Sequence, residues 1–315
     1  MIDQEERPLI SFIIPVYNSG RYIERCLEAI IAVSKGLNNI EVIIINDGST
    51  DNSEIICRRY IANYSFLKLY SQKNKGASSA RNQGLVKSNG KYIWFVDSDD
   101  TISTVNFSSI YDYLKLNNPE VVAFNYCEEK TQFLTEIKTI NDFSIQTSSE
   151  YLMKNKRLYL WNKIYSREAI ESIMFLEGTK NIEDFLFNVE VLIRNLQVHL
   201  LPITGYIYNT TNNVSTSRNR SNRNLIKLSH DSLRVHNRLQ ELLSEVDKEN
   251  RNIVEELLNF GIGGHLFSIL RYYNCRYLFK VIKVYKQGGL YPVKRTQNFK
   301  MNLFLAFVNK LGLFI

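Results

Sequence analysis

The 315-residue sequence has few of the residues that build disulfide or metal frameworks. It holds four cysteines and four histidines, and the cysteines stand far apart without a CxxC pair. This spacing predicts neither a zinc site nor a disulfide scaffold, and it is typical of a reduced cytoplasmic chain. Five prolines, fourteen glycines and 44% hydrophobic residues exclude the collagen-like and low-complexity classes.

Long apolar runs are also missing. No stretch approaches the roughly 18 uninterrupted apolar residues of a membrane-spanning helix. The first residues, MIDQEERP, are polar and acidic, unlike a secretory signal. We therefore expect a chain that is neither exported nor membrane-spanning, long enough for one large domain or one domain with an appendage.

Acidic residues are absent after Glu256, so the net charge of +7 is unevenly distributed. Residues 218–315 hold 17 Lys and Arg against 7 Asp and Glu, whereas residues 1–217 hold 22 against 25. Basic residues interleaved with aromatic ones favour an anionic membrane surface as partner. A solvated cap or homo-oligomer interface is the alternative, and nucleic acid is not expected because no recognised module is present. The aromatic side chains expected at headgroup level are Tyr272, Tyr273, Tyr277, Phe279, Tyr285 and Tyr291.

The first hundred residues alternate between short apolar runs and amphipathic stretches, the pattern of βαβ units. The predicted strands cover 9–16, 41–45, 66–70, 92–96, 120–126 and 206–208. Because their apolarity is continuous, we expect a mostly parallel sheet flanked by helices on both faces. The polar segment 209–223 predicts a linker, and helices are predicted over 225–243 and 253–285. The expected organisation is an α/β domain over 1–217 and a helical basic region over 218–315.

Polar residues follow three of these strands. They are Tyr17-Asn18, Asn46-Asp47 and Asp97-Ser98-Asp99. In an open parallel sheet, ligands bind outside the carboxyl ends of the strands. We therefore expect these residues to converge on one crevice.

Three carboxylates, those of Asp97, Asp99 and Asp100, stand within the four-residue segment Asp97-Ser98-Asp99-Asp100. Their mutual repulsion favours a bound cation. Mg²⁺ or Mn²⁺ takes one or two protein carboxylates together with the phosphates of a ligand, so the segment predicts a metal-bound diphosphate. The alternative is that Asp97 or Asp99 caps a helix that begins at Thr101.

Glycine-rich nucleotide motifs are missing. Neither GxGxxG nor GxxxxGK[ST] occurs, so we expect metal and basic side chains to hold the phosphates, with Lys73, Lys75 and Arg81 available. Asp47 could accept a hydrogen bond from the imide of uracil or thymine. The alternative is that Asp47 belongs only to a turn and Arg81 only to a helix surface.

Four ordered blocks carry a family resemblance. They are Ile14-Pro15-Val16-Tyr17-Asn18, Asn46 to Asp51, Asn74 to Ala77 with Ala80-Arg81-Asn82, and Phe95 to Asp100. Together they resemble bacterial glycosyltransferase family 2 enzymes with the GT-A fold. The resemblance continues through Trp161 to Tyr165 and Glu183 to Phe187, so it covers about residues 8–217.

The resemblance implies an inverting, metal-dependent, hexosyltransferase-type transfer from a nucleoside-diphosphate sugar, expected to be a UDP-sugar, to an acceptor hydroxyl. It implies Asp184 as the general base and Asp97 and Asp99 as ligands of Mn²⁺ or Mg²⁺. The implied donor site comprises Pro15, Val16, Tyr17, Asn18, Asp47, Lys73, Arg81, Asp97 and Ser98. Asn46 departs from the family, which often has a second Asp there, and Tyr206-Ile207-Tyr208-Asn209 lacks the Arg that relatives often carry.

Family-level inference further predicts a lipid-linked or growing surface glycan as acceptor, at the cytoplasmic face of the cell membrane. Two other functions remain open at this point. A sugar nucleotidyltransferase shares a similar sheet but has a Gly-rich N-terminal loop, and a non-catalytic partner subunit would not need the acidic residues. Glu183 and Asp184 could also serve only the dipole of a helix first turn.

Overall fold

The computed structural model describes residues 7–37, 39–130, 134–155, 158–179, 182–211, 222–272 and 275–312. Strands and helices alternate over the first two thirds, and helices alone follow. The elements up to residue 128 are β1 Ile10–Val16, α1 Ile23–Ser34, β2 Ile40–Asn46, α2 Ser53–Ile61, β3 Leu67–Ser71, α3 Ala77–Lys87, β4 Tyr92–Phe95, β5 Thr101–Ile102, α4 Phe107–Asn117 and β6 Val121–Glu128. The later ones are β7 Ser144–Thr147, α5 Ser148–Lys154, β8 Lys163–Ser166, α6 Arg167–Ile170, α7 Glu183–Leu192, β9 Gln197–Tyr208, α8 Asn222–Glu245, α9 Lys248–Tyr272, α10 Cys275–Gln287 and α11 Phe299–Gly312.

The strands of the described residues form one sheet in the order β3-β2-β1-β4-β8-β6-β9-β5, with β7 paired to β9. The pairs among β1, β2, β3 and β4 are parallel, as predicted. Beyond them the sheet is mixed, because β6 runs parallel to β9, whereas β8 runs antiparallel to both β4 and β6 and β5 and β7 run antiparallel to β9. Parallel neighbours need a crossover connection, usually a helix, and strands alternate regularly with helices up to about residue 100. The later strands join the sheet in either direction.

Helices cover both faces of the sheet. Phe12 and Ile14 of β1 point to one face and pack with Leu27 of α1 and Ile110 of α4. Ile13 points to the other face, where α3 approaches closely. A Cβ atom at Gly84 of α3 would lie only 2.3 Å from Ile13 Cγ2, so this approach requires glycine.

One apolar cluster joins the second face of the sheet to the C-terminal helices. It contains Phe187 of α7, Val235 of α8, Leu257 of α9 and Leu305 of α11, all fully or nearly fully buried. Helices α8 to α11 therefore share a core with the sheet. The predicted boundary at residue 217 lies outside the described residues, and the division into two domains stays a prediction.

The single helix predicted over 253–285 is wrong, because α9 and α10 are separate helices. A straight helix of that length would extend about 50 Å, far beyond the core that its apolar face must reach. Separation lets α10 bury Leu278, Ile282 and Tyr285 in the shared cluster. Tyr285 is completely buried, so its predicted place at lipid headgroup level is also wrong. Tyr273 and the side chain of Tyr272 lie outside the described residues.

Among the described residues, α9 is the one helix whose length and hydropathy suffice to cross a membrane. The segment is Lys248–Arg271, and 61% of its most apolar window is buried inside the protein. Its neighbours are α5, α8, α10 and α11. Its apolar character thus matches the position of a central core helix.

A buried histidine pair lies between α8, α9 and α10. His236 Nδ1 and His265 Nδ1 lie 2.9 Å and 2.6 Å from the Tyr285 hydroxyl. One hydroxyl has one proton, so it donates to one imidazole and accepts from the other. Burial lowers the pKa of His236 to about 3, with a contribution from His265, and lowers the pKa of His265 to about 4. Both imidazoles are therefore neutral at pH 7.

Candidate active site

The loops after β1, β2 and β4 meet at the carboxyl edge of the sheet, as predicted. Asn18 has a left-handed backbone with φ 49°, and its Oδ1 accepts a hydrogen bond from the Thr50 N–H at 2.8 Å. The Asn18 N–H in turn donates to Ser49 Oγ at 3.1 Å. Ser19 Oγ and Ser98 Oγ lie 2.6 Å apart. These hydrogen bonds join the loop after β1 to the loops after β2 and β4 at the floor of the crevice.

Asp47 is buried and organises the adjoining loop. Its carboxylate accepts hydrogen bonds from Gln72 Nε2 at 2.7 Å and from the Lys75 and Gly76 N–H groups, both at 2.8 Å. Gly76 stands at the N-terminus of α3. Asp47 thereby holds the loop between β3 and α3, and the role predicted for it toward a base stays a prediction.

Arg81 of α3 is the centre of the site. The residue is only 4% exposed, and its guanidinium lies over the Phe175 ring, 5.5 Å from the ring centre. Its Nη2 is 2.9 Å from Asp97 Oδ1, and its Nη1 is 3.0 Å from Glu183 Oε1 and 3.1 Å from Asp184 Oδ1. The sequence predicts Arg81 to approach a nucleotide, whereas the structure directs it into this carboxylate cluster. One cation therefore joins the loop after β4 to the start of α7.

Asp184 lies in the first turn of α7, and 26% of its side chain is exposed. Its enclosed position raises its pKa to about 7, and Glu183 and Asp97 act in the same direction while Arg81 opposes them. A carboxylate with a pKa near the working pH is suited to accept a proton. Asp184 thus combines access to the crevice with the proton affinity of a general base.

Asp100 differs from the other carboxylates of its segment because it points into the protein. It is 1% exposed, and it accepts hydrogen bonds from the Tyr206 hydroxyl at 2.8 Å and the Asn209 N–H at 2.7 Å. Burial, reinforced by Asp97 and Asp99, raises its pKa to about 8. The Tyr206 hydroxyl also accepts the Asp97 N–H at 3.1 Å. Asp100 and Tyr206 hence position the backbone that presents Asp97.

Asp97 and Asp99 are the two partly exposed carboxylates of the segment. The alternative that they cap a helix is wrong, because Thr101–Ile102 is a strand, β5, paired with β9. No group of three His, Cys, Asp or Glu that could hold a metal ion is present among the described residues. Two accessible carboxylates nevertheless fit Mg²⁺ or Mn²⁺, because these ions complete their shell with water and the phosphates of a ligand.

The remaining predicted donor-site residues lie along the same edge. Val16 ends β1 and is buried, Pro15 is partly exposed, and Tyr17 is 50% exposed beside Asn18. Lys73 is exposed on the loop after β3, and Ser98 is buried against Ser19. This edge of the sheet therefore offers an exposed aromatic ring after β1 and an exposed cation after β3.

Two residues near the site belong to the block Trp161 to Tyr165, to which the sequence alone assigns no role. Lys163 of β8 is completely buried, and it donates to the Asn162 Oδ1 at 3.0 Å. Burial lowers its pKa to about 7, while Asp184 acts in the opposite direction. Trp161 stacks on the ring of Tyr206 at 4.6 Å. A lysine within an apolar strand and a tryptophan two residues before it are the sequence signals that point to both.

Comparison with known proteins gives concordant results. The model of the glycosyl transferase family 2 matches residues 11–175, more than half of the chain. The uncharacterized glycosyltransferase EpsJ of Bacillus subtilis (strain 168) is 30% identical over 219 residues, covering 66% of this chain and 63% of the relative. The chain thus spans less than two thirds of that relative's length.

Solved structures share the fold. S. aureus TarS 1–349, crystallised in complex with UDP-GlcNAc, has a TM-score of 0.73 at 18% identity, over 96% of this chain and 87% of that one. The mannosyltransferase PcManGT from Pyrobaculum calidifontis, in complex with GDP-Man and Mn²⁺, has a TM-score of 0.56 at 14% identity, over 98% and 87%. With its ordered motifs, its sheet and its family match, the chain belongs to glycosyltransferase family 2 and has the GT-A fold.

Proposed function

We propose that this protein transfers a hexosyl group from a nucleoside-diphosphate sugar, with a UDP-sugar as the first candidate, to an acceptor hydroxyl with inversion at the anomeric carbon. The observation that carries the proposal is the Arg81 cluster, in which one guanidinium contacts Asp97 and Asp184 at once. Asp97 borders the crevice where a donor would lie. Asp184 faces the same crevice with a raised pKa. Arg81 thus holds Asp97, the carboxylate beside the proposed donor site, and Asp184, the proposed base, at a fixed distance from each other.

The donor would bind along the edge formed by Pro15 to Asn18, Lys73 and Ser98. The exposed Tyr17 ring offers a stacking surface for a base, and Lys73 offers a charge for phosphate. A base would reach Asp47 only if it competed for the hydrogen bonds that Asp47 accepts from Gln72 and the loop. The UDP-GlcNAc complex of TarS supports a uridine nucleotide as the first donor to test.

Asp184 would remove the proton of the acceptor hydroxyl as that oxygen attacks the anomeric carbon from the face opposite the leaving diphosphate. Arg81 stabilises the ionised form of Asp184, so the base is available above pH 7. Asp97 and Asp99 would hold a divalent ion, which supplies positive charge to the departing diphosphate. The Mn²⁺ in the PcManGT complex supports testing Mn²⁺ first.

The acceptor we propose is a lipid-linked or growing surface glycan, with the protein peripheral at the cytoplasmic face of the membrane. The support is the charge distribution, because every charged residue after Glu256 is basic. The alternative of a homo-oligomer stays open to the same experiments.

The test is a panel of UDP-sugars and GDP-sugars incubated with Mn²⁺, Mg²⁺ or EDTA, scored for nucleoside diphosphate release. We expect release from one nucleotide class, with loss in EDTA and in an Asp97→Asn variant. An exposed Asp112→Asn variant on α4 serves as the matched control and should release nucleotide at the wild-type rate. Absence of release from every donor, with and without lipid-linked acceptor, would contradict the proposal.

A further inference from the structure

Helix α11 is apolar on the side that faces the core and also on the side that faces solvent. Its inner side buries Leu305 and Val308 and packs Met301 and Phe304 against the shared core. A helix that is apolar all round is normally enclosed by protein or lipid. Half of α11 therefore has an apolar surface that the described residues leave exposed.

The outward side of α11 is formed by three large apolar side chains. Phe299 is 75% exposed, Leu303 61% and Phe307 53%. They are spaced four residues apart, so they lie along one side of the helix over about 12 Å. The small residue Ala306 lies in the same arc and is also exposed. We call this set, Phe299, Leu303, Ala306 and Phe307, the α11 outer face.

The apolar surface continues onto α9. Phe267 is 46% exposed, and its ring lies 5.3 Å from the ring of Phe304, edge to face. Phe267 thus adds exposed apolar surface on α9, next to the partly buried Phe304 of α11. Contiguous exposed apolar surface of this kind marks a contact with a partner or a membrane.

The charged residues of α10 and α11 are all basic. Lys300 and Lys310 are exposed on α11 itself, at the two ends of the outer face. The exposed side of α10 carries Arg276, Lys280 and Lys283. Since no acidic residue follows Glu256, nothing in residues 257–315 repels an anionic surface. Long lysine side chains can extend from an inserted helix to reach lipid phosphates.

We propose that the α11 outer face inserts into the headgroup region of an anionic bilayer, with Lys300 and Lys310 contacting lipid phosphates. A second copy of the chain is a poorer occupant, because a symmetric contact through this face brings the lysines of both copies together. This inference rests on the proposed function in one respect: the proposed lipid-linked acceptor explains why the protein would bind a bilayer.

Point substitutions test this better than truncation, because removal of the chain from α9 onward also removes core residues such as Leu257 and Leu266. The test variant combines Phe299→Ser, Leu303→Ser and Phe307→Ser. The matched control combines Ile55→Ser, Val86→Ser and Leu116→Ser, three exposed apolar side chains on α2, α3 and α4. Both are compared with wild type by melting temperature, so that an unfolded variant is recognised.

Binding is measured by co-sedimentation with vesicles of phosphatidylcholine alone or of two parts phosphatidylcholine to one part phosphatidylglycerol. Wild type and control should bind the anionic vesicles, and the α11 variant should bind them at least about tenfold more weakly, because three apolar side chains no longer insert. Raised salt should weaken wild-type binding.

Equal vesicle binding by wild type and the α11 variant overturns the proposal. So does self-association of wild type without lipid that the α11 variant abolishes, which assigns the face to a second copy. Nucleotide release from a soluble donor is measured in parallel and should be the same in all three proteins. Absence of nucleotide release by wild type would refute the proposed transferase function. The vesicle result would still decide whether the α11 outer face binds a bilayer.

Discussion

Two buried polar clusters lie against the same apolar core and handle charge in opposite ways. In the crevice, Arg81 remains charged because three carboxylates surround it. Between α8 and α10, His236 and His265 lose their protons because burial disfavours the imidazolium form. The first cluster keeps ions that can perform chemistry, and the second keeps neutral groups that hold helices together. Buried titratable groups thus mark a site when opposite charges accompany them.

Of the substitutions that would test this comparison, those in the Arg81 cluster should have the largest effect, and that effect is on catalysis. Asp184→Asn removes the proton acceptor while keeping the size of the side chain, so turnover should fall by about 10²–10⁴-fold with donor binding nearly unchanged. Glu183→Gln changes the other carboxylate of the pair and should cost less than about tenfold, since it leaves the base in place. Wild-type turnover by Asp184→Asn would exclude Asp184 as the base.

The pH profile sharpens the same point. Because the pKa of Asp184 is raised to about 7, activity should rise with pH up to about that value and level off above it. Protonation below pH 7 removes the base. Arg81→Lys, which keeps one charge but contacts fewer oxygens, should move the limb to higher pH.

The next effect is on stability. Arg81→Met leaves three carboxylates facing one another without a cation, and we expect a loss of about 3 kcal/mol in the free energy of unfolding. Arg59 provides the matched control, because its ion pair with Glu24 lies on the surface and 60% of its side chain is exposed. Arg59→Met should cost less than about 1 kcal/mol. Denaturant unfolding of both variants measures the difference, and equal losses would contradict a central role for Arg81.

The smallest effect concerns the histidine pair. Both imidazoles have folded-state pKa values below the usual 6.5, so the unfolded chain binds more protons as pH falls. Stability contributed by the pair is therefore present above pH 6.5 and is lost as pH falls toward the folded-state pKa values, about 4 for His265 and about 3 for His236. Each group contributes a slope of up to about 1.4 kcal/mol per pH unit.

The variant His236→Asn keeps a polar atom near the Nδ1 position and removes one titration, so melting temperature should fall less steeply between pH 6.5 and pH 5. His230 is exposed on the same helix, and His230→Gln should leave the slope unchanged. An unchanged slope in His236→Asn would show that carboxylates alone govern acid unfolding.

Local patterns in the sequence predict the first half of the fold well. Continuous apolar runs at β1, β2, β3 and β4 predict strands that the structure confirms within one or two residues. Their polar ends predict the crevice, because parallel strands place those ends at one edge. The Asp97 segment is a candidate site on the same local grounds, whereas Glu183-Asp184 is a candidate only through the family resemblance.

Long-range packing explains what the sequence left undetermined. That Arg81 points inward depends on Glu183, which is distant in the chain, and no local signal indicates that contact. The antiparallel course of β8 and the break between α9 and α10 depend likewise on which surfaces need covering. Aromatic composition predicted Tyr285 and Phe279 at a surface; Tyr285 is buried, whereas Phe279 is exposed, as are Phe267, Phe299 and Phe307.

The reach of Arg81 has a consequence for dissecting the protein. Any fragment that stops before α7 lacks Glu183 and Asp184 and leaves the guanidinium buried with Asp97 as its remaining acidic neighbour in the cluster. Such a fragment would contain every donor-site motif and still lose two of the three carboxylates that contact Arg81. The ion pairs of Arg81 therefore require that any autonomous unit of this chain include α7 together with α3 and the loop after β4.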